Sequence, residues 1–268
     1  MRIPNPLRPA LVLGAVTALS ACGVPTGPLN ARDTVVETRS LDPNGSFSLE
    51  NVNGRVEIEA WSKPEVRIEA ERAAVNERAL ERLRVEVEGE GSSVEVRTRH
   101  ERHGGLLSFL HGGGKVDYHV TLPAGARVRL STVNGPVEVQ GVTGELRVKT
   151  VNGGVTIRDA AGEVQAETVN GAIDARYEAA PASGRQRFQT VNGGIEVSLP
   201  EGATGRLEAK TVNGSVGCDL PLSDTEKSRR RLSGRLGPGD GDFHMETVNG
   251  SIHVRRGTGH PPAEASLR

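Results

Sequence analysis

Residues 132–153 read Thr132-Val133-Asn134-Gly135-Pro136-Val137-Glu138-Val139-Gln140-Gly141-Val142-Thr143-Gly144-Glu145-Leu146-Arg147-Val148-Lys149-Thr150-Val151-Asn152-Gly153. Apolar and polar residues alternate over 136–140, a turn follows at 141–144, alternation returns over 145–150, and the opening Thr-Val-Asn-Gly comes back 18 residues later. Period-two alternation bounded by Gly and Asn-Gly is a strand–turn–strand–turn pattern. Working outward, Val-Asn-Gly occurs seven times, at Asn53, Asn134, Asn152, Asn170, Asn192, Asn213 and Asn249, and six copies carry the preceding Thr. The gaps are 81, 18, 18, 22, 21 and 36 residues. A period near 20 marks a repeat architecture.

Two architectures fit. In an antiparallel meander, Asn-Gly makes a two-residue hairpin turn. In a β-solenoid, each 18–22 residues form one coil and equivalent positions stack about 4.8 Å apart. Only the solenoid gives a reason for identical residues at every second turn: Thr stacks on Thr, Asn amides exchange hydrogen bonds along a ladder, and Gly allows positive φ at the corner. The expected fold is therefore all-β, a single-domain β-solenoid with a short capping helix. The gap of 81 residues reads as about four further coils. Within it, Ala74–Leu83 has Val75, Ala79, Leu80 and Leu83 on one helical face and is assigned to the cap. Asn170, inside the run of close repeats, is expected to matter more to stability than Asn53, which stands apart from it.

Strand parity turns Thr and Asn inward and the valines of the motif outward. A row of exposed valines would be an interface stripe; alternatively the bend returns them to the core, and this second reading is preferred because parity is unreliable through turns. The outward strand positions Glu138, Glu145, Arg147, Lys149, Arg158, Glu163 and Glu167 carry interleaved signs, as on a solvated sheet face with cross-strand pairs.

The chain begins with Arg2 and Arg8, an apolar run from Ala10 to Leu19, then Ser20-Ala21-Cys22. This is the pattern of a secretory signal peptide, and the run is shorter than the ~20 residues needed to span a bilayer. Leu19-Ser-Ala-Cys22 resembles the lipobox of bacterial lipoproteins, which implies lipidation of Cys22. The organisation expected is a signal peptide at 1–21, lipidated Cys22 and a Gly/Pro-rich tether to residue 44, the solenoid over 45–256, and a frayed tail at 257–268. The whole chain carries 33 Lys+Arg against 34 Asp+Glu, so no basic field points to nucleic acid. With Cys22 acylated, Cys218 has no intramolecular partner. Among other constellations, His100, His103 and His111 lack a completing Cys or Asp for a metal. Leu106, Leu107, Phe109 and Leu110, between glycine groups, form a candidate contact loop or else cover an edge of the stack. Arg229–Arg231 could meet anionic phosphates or simply be solvated. Carboxylates occur, but no unusual Asp cluster marks one coil as polysaccharide-cleaving, and Trp61, Tyr118 and Tyr177 are too few and too scattered for a sugar platform.

The Thr-Val-Asn-Gly ladder at 132–250, together with Ala79–Arg99, Val120–Ala126 and Thr247–Val254, resembles the bacterial DUF4097 family of adhesin-like β-strand repeat proteins. The resemblance covers residues 45–256. It implies an extracytoplasmic β-solenoid with an adhesive role and brings no catalytic residues and no cofactor. The function expected is a non-catalytic, lipid-anchored envelope module at the outer membrane or cell surface, binding an envelope protein or polysaccharide. The alternatives are an envelope-stress component contacting a membrane protein and, less favoured, a polysaccharide-acting β-helix enzyme. The anchor is directly testable. Cys22→Ser should abolish metabolic labelling by a fatty-acid analogue and release the protein from membranes or leave the precursor uncut; equal labelling of both forms would refute lipidation.

Overall fold

A computed structural model describes residues 29–100, 114–177, 179, 181 and 184–257; nothing is described of the His100 side chain. Within it the alternation of apolar and polar residues becomes two sheets packed face to face, with the apolar positions between them. Each coil runs up a strand of one sheet, turns at Thr-Val-Asn-Gly, and returns in the other. In the coil quoted first, β7 (Arg127–Ser131) precedes the turn and β8 (Val137–Gln140) follows it. The next coils are β9 (Leu146–Lys149) with β10 (Val155–Arg158), and β11 (Val164–Asn170) with β12 (Ile173–Arg176). Equivalent strands pair in parallel and in register: Val137 opposes Val155, which opposes Ile173. This is a solenoid. No Asn of the motif adopts positive φ, as a type I′ hairpin turn would require.

The columns formed by this register are the core. Leu130, Val148, Ala166 and Phe188 stack in one sheet and Val139, Ile157, Ala175 and Val197 in the other, all buried. Burying each branched side chain contributes ~1.5–3 kcal/mol, so the stack is held by many equal increments. Where a coil lengthens, polar groups fill the extra space. Tyr177 Oη donates to Gln186 Oε1 at 2.8 Å, and Gln186 Nε2 donates to the Gly162 carbonyl at 3.0 Å. Burial pushes the Tyr177 phenol strongly upward, which keeps it a donor.

The first coil consists of the second half of β1 (Ala31–Glu50) and β2 (Val56–Trp61), and it lies directly on the β7–β8 coil: Phe47 opposes Val128 and Val56 opposes Val137. Asn53 and Asn134, 81 residues apart, are therefore neighbours. The described residues between them do not form four coils. They leave the stack to build its end: β3 (Glu65–Ala74), α1 (Glu77–Glu81), β4 (Leu83–Glu88), β5 (Gly91–His100) and β6 (Gly114–Pro123). The β1–β3, β3–β6 and β4–β5 pairings are antiparallel. Alternating strands without a corner signal pair just as well in hairpins, and the period alone does not separate the two. Helix α1 crosses from one sheet to the other. Asn76 caps it by accepting from Ala79 N at 2.9 Å, and Leu80 packs with Ala31 and Ala74. The helix is shorter than Ala74–Leu83 because Ala74 ends β3 and Leu83 starts β4. Residues 31–44, expected to be tether, belong to the fold: Ala31–Ser40 pair with β3 along their length. Their own pattern is largely polar, so only the partner strand makes them a strand.

Chain order and spatial order also part at the far end. β13 (Arg185–Asn192) and β14 (Ile195–Leu199) precede β15 (Gly205–Asn213) and β16 (Val216–Cys218) in sequence. Yet β19 (Asp242–Asn249) and β20 (Ile252–Arg256) lie between them, β19 pairing with both β13 and β15. The hairpin β17 (Ser223–Lys227)–β18 (Arg231–Gly237) covers the outer edge of β15 in antiparallel fashion. That edge being taken, the last coil completes the stack from within.

Glycine at the corner is required by contact more than by φ. A Cβ on Gly153 would stand 2.0 Å from the Gly135 carbonyl oxygen, on Gly171 2.0 Å from that of Gly153, and on Gly193 2.0 Å from that of Gly171. Gly54 and Gly135 also have φ of 125° and 143°, but Gly153, Gly171, Gly193 and Gly214 are not in the left-handed region. The adjacent Gly154 has its closest obstacle, the Ala172 carbonyl, at 3.4 Å. Gly153→Ala should therefore cost more than the ~1–3 kcal/mol of ordinary overpacking, because the clash is with backbone. Gly154→Ala should be near neutral or slightly stabilising, by up to ~1 kcal/mol. Thermal melts of the two variants check this; equal losses would remove the steric column.

Candidate functional site: the repeat edge and the charged faces

The edge repeats one arrangement seven times. Thr132, Thr150, Thr168, Thr190, Thr211 and Thr247 are buried. Four of them donate across to the glycine carbonyl of the adjoining coil: Thr168 to Gly153 at 3.0 Å, Thr190 to Gly171 and Thr247 to Gly193 at 2.9 Å, and Thr211 to Gly250 at 2.8 Å. The hydroxyls of Thr132 and Thr150 are buried without a protein partner. In the first coil Asn51 occupies the Thr position. It donates to the Val116 carbonyl at 2.9 Å and accepts from Thr98 Oγ1 at 3.0 Å, which in turn contacts Tyr118 Oη at 2.7 Å. Burial raises the Tyr118 phenol to about 12, so this network stays neutral through the ordinary pH range.

The asparagines form a continuous amide ladder. Asn134 Nδ2 donates to Asn53 Oδ1 at 2.7 Å, and the Asn152, Asn170, Asn192, Asn249 and Asn213 amides each continue the row at 2.8 Å. The Asn53 amide ends it on the Gly114 carbonyl at 3.3 Å. Asn213 is thus the terminal rung and Asn249 sits inside, the reverse of their order in the chain. Asn53 is 8% exposed, while Asn170, Asn192, Asn213 and Asn249 lie at the solvent edge.

The valines of the motif do not return to the core. Val151 and Val191 are 38% exposed and Val212 is 46% exposed, with Val52, Val133, Val169 and Val248 half-buried. In β11, β13, β15 and β19 the strand runs through to Asn, and in the other coils the asparagines still bridge in parallel, so parity carries through and the stripe of valines lies on the outside.

Both faces are charged. On the β8–β10–β12 face, Glu57, Glu138, Asp174 and Glu196 share one row, interrupted by Thr156, and Arg158, Arg176 and Arg255 share another two residues along the strands, interrupted by Ser198. Arg55 bridges Glu57 at 3.0 Å and Glu138 at 3.3 Å, and Arg255 reaches Glu196 at 3.2 Å. On the opposite face Lys149 meets Glu167 at 3.1 Å. Exposed pairs of this kind contribute ~0.2–1 kcal/mol each. The Arg55 and Arg176 guanidinium groups, beside Glu57 and Asp174 respectively, are held above their ordinary value. Arg231 pairs with Glu208 at 3.0 Å, while Arg229 and Arg230 lend backbone carbonyls to Val216 and Thr211. Cys218 is half-buried, its thiol pushed up by that burial. Cys22, His103, His111 and the segment Leu106, Leu107, Phe109, Leu110 lie outside the described residues. Among the described residues no group of His, Cys, Asp and Glu is arranged to hold a metal, and no helix is long and apolar enough to cross a membrane.

The family model of the Toastrack DUF4097 domain matches residues 117–255. The chain belongs to this family. The Toastrack match covers the run of stacked coils and begins in β6, at the junction with the antiparallel end. No curated protein matches the chain. Among solved structures, a proposed cell adhesion protein from Clostridium sporogenes aligns at 11% identity and TM-score 0.45, covering 84% of this chain and 100% of that one. A proposed adhesin from Bacteroides fragilis aligns at 9% identity and TM-score 0.37, covering 83% and 97%.

Two features of this Toastrack chain escape a reading of the repeat: Asn51 in the threonine slot, and the sorting of charge into rows. The first was visible as Asn51 two residues before Asn53; the second needs the register. Because Asn53 is the most buried rung and carries the end of the ladder, the geometry predicts the opposite order to that expected from the run of close repeats. Asn53→Ala should cost ~1–3 kcal/mol, the penalty for orphaning buried groups. Asn170→Ala, at the solvent edge where water replaces the lost partner, should cost less. Denaturant midpoints of the two variants measure the order.

Proposed function

We propose that this Toastrack chain is a non-catalytic, adhesin-like binding or structural module of the cell envelope, held to a membrane by lipid on Cys22. One observation carries this reading: among the described residues the charged groups of the sheet faces recur from coil to coil along straight rows. The row Glu57–Glu138–Thr156–Asp174–Glu196 steps at the ~4.8 Å strand spacing, with Thr156 as its one uncharged member, and the valine stripe follows the same stacking of motifs. A surface that repeats in one direction suits an extended ligand or another envelope surface, and many weak equal contacts add through multivalency. Buried polar groups such as Gln186 with Tyr177 and Asn51 with Val116 are tied up in internal hydrogen bonds. The adhesin names given to the two solved structures agree with the reading without adding weight to it.

The mature chain without its lipid should co-sediment saturably with isolated envelope polysaccharide and release no new reducing ends on prolonged incubation. Sugar release would turn the reading to an enzyme. Binding confined to protease-sensitive membrane fractions would favour a regulatory contact with a membrane protein.

A further inference from the structure

At the end of the stack distal to α1, the face formed by β13, β19, β15 and β18 holds an open cleft of about 620 Å³. Its rim is built by register. Arg185 opposes Asp242, Asp242 opposes Arg206, and Arg206 opposes Arg235. Three guanidinium groups thus share one row with a single carboxylate, and Arg187 stands two residues along β13 from Arg185.

The local acids are largely engaged. Asp242 is drawn to Arg185 at 3.5 Å, and Glu208 is drawn to Arg231 at 3.0 Å. Asp240, on the loop between β18 and β19, is the remaining carboxylate of the rim. Arg235 donates to the Gly239 carbonyl at 3.3 Å, which ties it to that loop. Arg187 and Arg206 have no ion-pair partner among the described residues. Like charges directly opposite one another on neighbouring strands are destabilising, so Arg206 beside Arg235 favours an added anion. Guanidinium forks suit oxyanions, which accept two parallel hydrogen bonds. The chain as a whole is close to neutral, at −1, so attraction here comes from this arrangement and not from a general basic field.

We infer that this cleft binds the sulfate- or phosphate-type oxyanions of an acidic polysaccharide, with Arg187 and Arg206 as the principal contacts. The inference rests on the reading of the chain as a binding module and names its ligand class. The cleft is open enough to admit a substituent of a polymer whose backbone continues over the face. It exists only because β19 enters between β13 and β15: without that strand Asp242 would not separate Arg185 from Arg206.

The test is calorimetric titration of the mature chain, lacking lipid, with dextran sulfate, unmodified dextran and inorganic sulfate. Wild type should bind dextran sulfate and not dextran, with affinity falling as salt rises. Arg187→Gln/Arg206→Gln should weaken binding at least tenfold while leaving the melting temperature in anion-free buffer unchanged or higher, since one like-charge contact is relieved. Arg127→Gln/Arg129→Gln removes the same charge from β7 on the same face and should change affinity less than twofold. Equal losses in the two double variants, or no loss in the first, would overturn the site. So would vesicles of anionic lipid binding in an Arg187/Arg206-dependent way while dextran sulfate does not, which would assign the cleft to a lipid headgroup. Retention of envelope-polysaccharide binding by the cleft variant would reject the cleft and leave the binding-module reading intact. Loss of all polysaccharide binding by wild type would reject both.

Discussion

The approach of one corner glycine to the next governs this molecule. At Gly135, Gly153, Gly171, Gly193, Gly250 and Gly214 a Cβ would fall 1.9–2.1 Å from the carbonyl oxygen of the glycine in the adjoining coil. Only a hydrogen fits. That contact lets successive coils sit at strand spacing at their tightest bend, and everything repetitive depends on it. With the backbones so close, a threonine hydroxyl reaches the neighbouring glycine carbonyl and an asparagine amide reaches the next asparagine. Buried backbone groups at the turn also find partners in the next coil, as Gly153 N does on the Asn170 carbonyl at 3.1 Å. The corner is therefore a strip of parallel sheet bent through the motif, not a row of separate turns.

A stack of this kind is limited by its ends, where open strands invite further pairing. Both ends here change from parallel to antiparallel pairing, and both bring in a hairpin-like element. Near α1 the chain interrupts itself after the first coil, builds the end from β3 to β6, and returns to lay Asn134 on Asn53. At the other end the β17–β18 hairpin closes β15 before the last coil enters. β19 and β20, the last strands of the described residues, thereby become interior. Fraying of the β19–β20 coil would separate β13 from β15, so that coil is tied into the cooperative unit and not appended to it.

The same register that builds the core organises the surface. Side chains at one strand position in every coil fall in a line, so a local choice of Glu or Arg becomes an acidic or basic row. Single-sign rows repel along their length and are tempered by neighbours two residues away or one coil over, as Arg55 does between Glu57 and Glu138. Where tempering is incomplete, around Arg187 and Arg206, the surface has capacity left for an external anion. The valine stripe and the exposed asparagines next to it are consequences of the corner geometry, whatever they contact.

The sequence by itself determined the repeat unit, the two-strand coil, the inward columns and the stacking of Thr on Thr and Asn on Asn, because these rest on a period of two within strands and a fixed corner between them. It also pointed to the family. It could not show that 81 residues separate neighbours, that residues 31–44 are a strand, or that the last coil lies inside the preceding one. Each of those is a pairing between segments far apart in the chain, and alternating strands carry no mark of which partner or direction they will take. Nor could it decide the valines: whether a bend flips parity depends on the path of the backbone through the corner, and here the glycine contact holds that path extended. The arginine cleft is of the same kind. Arg185, Arg206 and Arg235 are unremarkable along the chain and become one row only when β19 brings Asp242 between the first two and the antiparallel hairpin sets the third opposite the second.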